Sequence, residues 1–171
     1  ALAMQHSPRA HQQAAPLKLR VGTYNLLSPE YGVKWGEREA CDGWVSKHVH
    51  GGSNWRRRWP ALRRLLGCAS WDLLALVELE DSTRPDVTEA LRARGLALVW
   101  FEHDGRKDAL GIAYDPASFT LQIRASRPFP PEAPKATTGR VDLQHVPSGA
   151  PVRVLVTHQR GGDAAQLDDL F

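Results

Sequence analysis

The sequence predicts an α/β fold, and three observations carry that expectation. The stretch Trp71 to Asp81, WDLLALVELED, is an almost unbroken apolar run that ends in acids. Strands buried on both faces, in the middle of a helix-covered sheet, read this way. Two other stretches, Leu17 to Asn25 and Val152 to His158, alternate apolar and polar residues with the period of a strand. Between the first of these and the central run, residues 54–67 place apolar side chains at helical spacing.

Composition bounds the rest. A chain of 171 residues with 42% hydrophobic content suits one domain, or a large part of one, with a packed core. Residues 1–16 read as a disordered tail and 17–171 as the domain. The net charge of +3 leans only weakly towards polyanions. Cys41 and Cys68 stand apart without a CxxC spacing, which argues against a disulfide framework or a Cys-rich zinc site and favours an intracellular, cytoplasmic setting. The first 29 residues lack acids and include Arg9, Lys18 and Arg20, so an organellar leader stays open. The longest apolar run, Leu73 to Val77, is far below the roughly 18 residues of a membrane span.

In the first strand, Leu17, Leu19, Val21, Thr23 and Asn25 share a face, so the pattern expects them to point inward. Asn25 then either serves a site at the strand end or caps the turn into Leu26 to Pro29. Tyr31 to Ser53 is a long loop carrying Trp35, Cys41, Trp44, His48 and His50; the spacing of its Cys and His matches no common zinc motif. Asn54 reads as the N-cap of a helix with Trp55, Trp59, Leu62, Leu65 and Leu66 on one stripe and Gly67 as its stop. Pro60 implies a kink or a start at that residue. Arg56, Arg57, Arg63 and Arg64 fall mainly on the other side, as a solvated face or a grip on phosphates.

After the central strand, Thr83 and Asp86 have capping-box spacing before a short helix with Val87, Ala90 and Leu91 inward, ended by Gly95. Leu96 to Phe101 and Ala109 to Tyr114 form a hairpin expectation around Asp104-Gly105. Phe119 to Ile123 and Val141 to Val146 continue the strands on either side of a Pro-rich loop, Pro128 to Pro134. In the last strand Val152, Val154 and Val156 share a face with His158, and Asp163 beyond Gly161 and Gly162 reads as the cap of a helix with Ala164, Leu167 and Leu170 inward.

Asn25, Glu78 and His158 are thereby expected at the ends of apolar strands far apart in sequence. Ligands of open α/β sheets gather at strand carboxyl ends. Carboxylate and amide oxygens suit Mg²⁺, which keeps waters and takes few protein ligands, and an imidazole beside them suits proton transfer at a phosphoryl group. The chemistry indicated is metal-assisted phosphodiester hydrolysis.

Five stretches in order, RVGTYNLLSPEYG, NWRRRWPALRRLL, WDLLALVELED, KDALGIAYDPASFTL and VRVLVTHQ, resemble the successive N-terminal motifs of the endonuclease/exonuclease/phosphatase superfamily, most closely its nocturnin and poly(A)-deadenylase branch. The resemblance implies part of a four-layer α/β sandwich of the DNase-I-like type, with two central, mostly antiparallel or mixed sheets flanked by helices and its C-terminal strands missing. It implies Glu78 as a ligand of Mg²⁺, or of Mn²⁺ in its place. Asn25 is implied to orient the metal and phosphate, and His158 to lie beside the scissile phosphate. Asp108 matches the acid opening the fourth motif, and is grouped with Arg56, Arg57, Arg63 and Arg64 as a candidate substrate contact. Val77 stands where the family usually has glutamine, and Ala109 where glycine is common.

The function expected is a Mg²⁺-dependent nuclease acting on RNA from a 3′ end, present as an incomplete site because no Gly-Asp-x-Asn or Ser-Asp-His stretch follows His158. The alternatives are a non-catalytic relative that binds RNA or protein, and the same fold acting on DNA, a phosphoinositide or a nucleotide. Half of such a sandwich is expected to leave a sheet face or edge uncovered.

Overall fold

The computed structural model describes residues 16–26, 28–29, 55–102, 107–128 and 137–158. Their elements run β1 (Val21–Asn25), α1 (Trp55–Leu66), β2 (Leu73–Glu80), α2 (Arg84–Arg92), β3 (Ala97–Phe101), β4 (Asp108–Tyr114), β5 (Phe119–Pro128), β6 (Thr137–His145) and β7 (Pro151–Thr157). The loop 31–53 with its candidate Cys and His residues, the Asn54 cap, the Asp104-Gly105 turn, most of the Pro-rich segment and the helix after Asp163 lie outside the described residues.

A four-stranded sheet has the order β1-β2-β4-β3, and a three-stranded sheet the order β5-β6-β7. β1 and β2 are parallel, and every other pair is antiparallel. Parallel neighbours need a crossover, and α1 lies within the connection between β1 and β2. On one face of the mixed sheet Leu74, Leu76 and Leu79 of β2 pack with Leu66 of α1 and with Val87 and Leu91 of α2. On the other face Leu73, Phe101 and Ile112 meet Phe119, Val141 and Val156 of the antiparallel sheet. The described residues therefore build a helix layer, a mixed sheet and an antiparallel sheet, part of the expected DNase-I-like sandwich. No helix among them is long and apolar enough to cross a membrane.

Several local expectations change. The alternation of β1 is in register, but its burial is reversed: Val21 is 60% exposed, while Tyr24 packs on the helix-side core. A Cβ on Gly22 would stand 2.9 Å from the Trp71 ring, so glycine permits that close packing. The antiparallel sheet reaches across to β2 and β4, and among the described residues it leaves the Val21 face of β1 open.

α1 begins at Trp55 and passes through Pro60, so the helix does not start at the proline. Leu65 is 44% exposed and drops out of the inner stripe. Gly67 receives the last carbonyls, its N–H donating to Arg63 O and Arg64 O, as a helix stop should. The capping box does not form. Thr83 makes no side-chain cap bond, and its Oγ1 donates to Glu80 O at 2.8 Å. Asp86 instead accepts the Trp55 Nε1 proton at 2.8 Å, joining the two helices. β5 and β6 extend each other to the pair Pro128 and Thr137, well past the strand ends that sequence periodicity suggests.

Candidate active site

The site grows from an irregularity in β2. Leu76 pairs with Gly111 and Leu79 with Ala109, so three residue steps on β2 span two on β4. This is a β-bulge, a device that bends a strand and re-aims a side chain. Within it Glu78 has φ 58°, the only positive φ of a non-glycine residue among the described residues. Such a backbone costs about 1–3 kcal/mol and persists only where its surroundings hold it. Strict alternation would place Glu78 with Leu74 and Leu76 on the helix face. The bulge shifts the alternation, so that Leu79 rejoins the helix-side core and Glu78 turns towards the rim.

Three elements hold the Glu78 carboxylate. Asn25, at the end of β1 and paired with Val77, donates from Nδ2 to Oε1 at 2.7 Å. The Ser28 backbone N–H donates to Oε2 at 3.2 Å. His158, one residue past β7 in the other sheet, brings Nε2 to 3.2 Å from Oε1. Asp108 opens β4 opposite Glu80, and its Oδ2 lies 3.7 Å from His158 Nδ1, an ion-pair distance beyond hydrogen-bond length.

The sheets can close here because Gly139 of β6 faces the Phe101 ring; any Cβ would collide with it. Gly139 pairs with Val156, two residues before His158, so this contact sets the approach of β7 to the rim.

Electrostatically the cluster is self-supporting. The carboxylates of Asp108 and Glu78 raise the His158 pKa to about 9 against the opposing effect of burial, so the imidazole is a cation at neutral pH. Burial alone pushes Glu78 up, but hydrogen bonds from His158, Asn25 and Ser28 outweigh it and leave the carboxyl below its ordinary value. Glu78 is 8% and Asp108 2% exposed, so both charges are largely withdrawn from water and depend on these partners.

The same architecture occurs in solved structures. ANGEL2, described as a 2′,3′-cyclic phosphatase, superposes with a TM-score of 0.69 at 19% identity, over 83% of this chain and 41% of that one. The human nocturnin catalytic domain with a bound sulfate anion gives 0.66 at 18% identity, over 89% and 55%. An endonuclease/exonuclease/phosphatase family protein from Bacteroides thetaiotaomicron gives 0.63 at 16%, over 86% and 52%. The chain has the endonuclease/exonuclease/phosphatase fold. The chain spans about half the length of these structures. No family model matches the sequence, and neither does any curated protein.

Within this fold the structure brings Asn25, Glu78, His158 and Asp108 to one rim and does not bring the four arginines with them. Arg56, Arg57, Arg63 and Arg64 are exposed on α1. The arginine that reaches the rim is Arg58, 2% exposed, whose Nη1 donates to Leu26 O at 2.8 Å. Its place was marked by spacing, since Arg58, Leu62 and Leu66 recur four apart on the inner side. Glu80 was also passed over. It is 7% exposed, takes the Ser28 hydroxyl proton and accepts from Ser82 Oγ at 3.0 Å.

Proposed function

We propose that the protein containing this chain is a Mg²⁺-dependent phosphodiester hydrolase acting on RNA from a 3′ end, with Asn25, Glu78 and His158 in its active site. The observation that carries this reading is the convergence of Asn25 and His158, from the two sheets, on the buried carboxylate of Glu78, whose backbone is strained. The fold shared with a 2′,3′-cyclic phosphatase and with nocturnin supports phosphate-ester chemistry.

The donor set fits the metal. Glu78 offers a carboxylate and Asn25 an amide oxygen, both hard ligands, and Mg²⁺ is commonly held by one or two carboxylates together with waters and substrate phosphate. When bound there, the ion supplies charge neutralisation and an activated water. The chain's own groups do the rest. Asn25 and the Ser28 N–H fix the orientation of Glu78. His158, held between Asp108 and Glu78, donates a hydrogen bond to a phosphoryl oxygen and stabilises negative charge that develops on it.

The test is a substrate panel offered to the complete protein with and without Mg²⁺: RNA with a free 3′ hydroxyl, RNA ending in a 2′,3′-cyclic phosphate, single-stranded DNA, and a nucleotide. Mg²⁺-dependent shortening of the first is the expected result. Turnover confined to the cyclic end keeps the chemistry and replaces the substrate. Salt-sensitive RNA binding with no turnover of any substrate contradicts the hydrolase reading and favours a binding module.

A further inference from the structure

The carboxylates Glu78 and Glu80 stand two residues apart at one strand end and are both buried, an arrangement that like-charge repulsion disfavours. The Arg58 guanidinium interacts electrostatically with both of them. It also grips the chain that aims them. Leu26 is held through both of its backbone groups, its N–H donating to Val77 O at 3.0 Å and its C=O accepting from Arg58 Nη1 at 2.8 Å. Two residues on, Ser28 donates its backbone N–H to Glu78 and its hydroxyl to Glu80. Arg58 is itself fixed from behind. Its guanidinium carbon lies 5.6 Å from the centroid of Trp55, which stacks on Trp59 at 5.1 Å and is tied to α2 through Asp86.

We propose that Arg58 is the positioning residue for Glu78, holding Leu26 and with it Ser28 against β2 so that the Ser28 N–H keeps the carboxylate turned to the rim where Mg²⁺ would bind. Burying a guanidinium is costly unless its charge is balanced, and here it donates to a carbonyl and is attracted by two buried carboxylates. Arginine suits this task better than lysine, because its planar fork separates several donors in fixed directions. The role rests on the proposed hydrolase reading and assigns the part of α1 that serves it.

Arg58→Met and Arg58→Lys in the complete protein test it, with Mg²⁺ binding measured by calorimetry without substrate and kcat and KM measured separately. Arg58→Met is expected to weaken Mg²⁺ binding roughly tenfold, the usual scale for losing a group that orients a ligand, and to lower kcat with KM little changed. Arg58→Lys should recover part of that loss. A lower melting temperature with unchanged Mg²⁺ binding overturns the role and leaves a structural brace. Tighter Mg²⁺ binding in Arg58→Met with no change in Arg58→Lys overturns it in favour of simple charge balance. Should Arg58→Met fail to fold, Arg58→Lys decides the matter: it should weaken Mg²⁺ binding, and unchanged affinity rejects the proposal. A wild-type protein that binds no Mg²⁺ removes the hydrolase reading together with this role. An active wild type, inactivated by Glu78→Ala but indifferent to both Arg58 changes, removes this role alone.

Discussion

Two charge clusters in this molecule look alike in composition and differ in construction. In the antiparallel sheet, Asp142 pairs with Arg153 at 2.8 Å and with Arg140 at 3.0 Å. Its partners are its direct cross-strand neighbour and the residue two places before it, and the Arg153 side chain is 61% exposed. At the rim, Glu78 is held by groups from β1, from the segment after it and from the end of β7, 53 and 50 residues away in the first two cases. Both clusters lie beside a register shift, at Leu121/Ile123 opposite Asp142 and at Leu76/Leu79 beside Glu78; the second alone adds a positive φ at a non-glycine residue. Neighbouring strands pair opposite charges as a by-product of register. Only a site worth holding together gathers groups from two sheets around a buried, strained residue, which is the physical case for function at the rim.

The comparison can be broken most forcefully at its two carboxylates. On the proposed reading, Glu78→Ala should cut Mg²⁺-dependent turnover by at least about a hundredfold. Asp142→Ala should leave the rate within about twofold, as exposed pairs contribute little. Equal losses in steady-state kinetics would erase the distinction between the clusters.

Backbone strain gives a second contrast. Glycine at position 78 should be more stable than alanine there by about 1 kcal/mol, the reverse of the usual order inside a strand, because only glycine adopts the positive φ freely. Chemical denaturation of Glu78→Gly and Glu78→Ala measures this, and alanine being the more stable would show that the bulge relaxes.

The two clusters should also respond differently to pH. His158 has its pKa raised to about 9 in the folded protein, from an ordinary 6.5. Its contribution to the stability of the metal-free protein is therefore complete below about pH 6.5 and is lost as pH rises through 9. His158→Gln should flatten that alkaline loss in a series of melting curves. Asp142 runs the other way. Arg153, then Arg140, hold its carboxyl below the ordinary value, so its contribution is present above the usual carboxylate range and is lost as pH falls through the depressed value. Asp142→Asn should produce the smallest change of the series, and one that fades as salt is added.

Much of this was legible in the residues because strands bury what is apolar and end where it stops. The run to Val77, the alternation to Asn25 and the alternation to His158 each point at one rim, and the motif order points at the fold. Other features depend on contacts that no local pattern carries. Period-two reading assigns Glu78 to the helix face, since nothing in WDLLALVELED announces an extra residue in the pairing with β4. The burial of β1 depends on where the second sheet lies, so Val21 follows the strand pattern and is still exposed. Arg58 does share the four-residue spacing of Leu62 and Leu66, but the run of five arginines in α1 masks it. Thr83 and Asp86 have the spacing of a capping box, yet β2 and Trp55 compete for them and win.

The most direct test of the central claim is calorimetric titration of Mg²⁺ into the metal-free complete protein and its Glu78→Gln variant, which removes the charge and keeps the size of the side chain. The account predicts saturable binding to the wild type that is lost in the variant while both remain folded. Indistinguishable Mg²⁺ binding by the two proteins would contradict it.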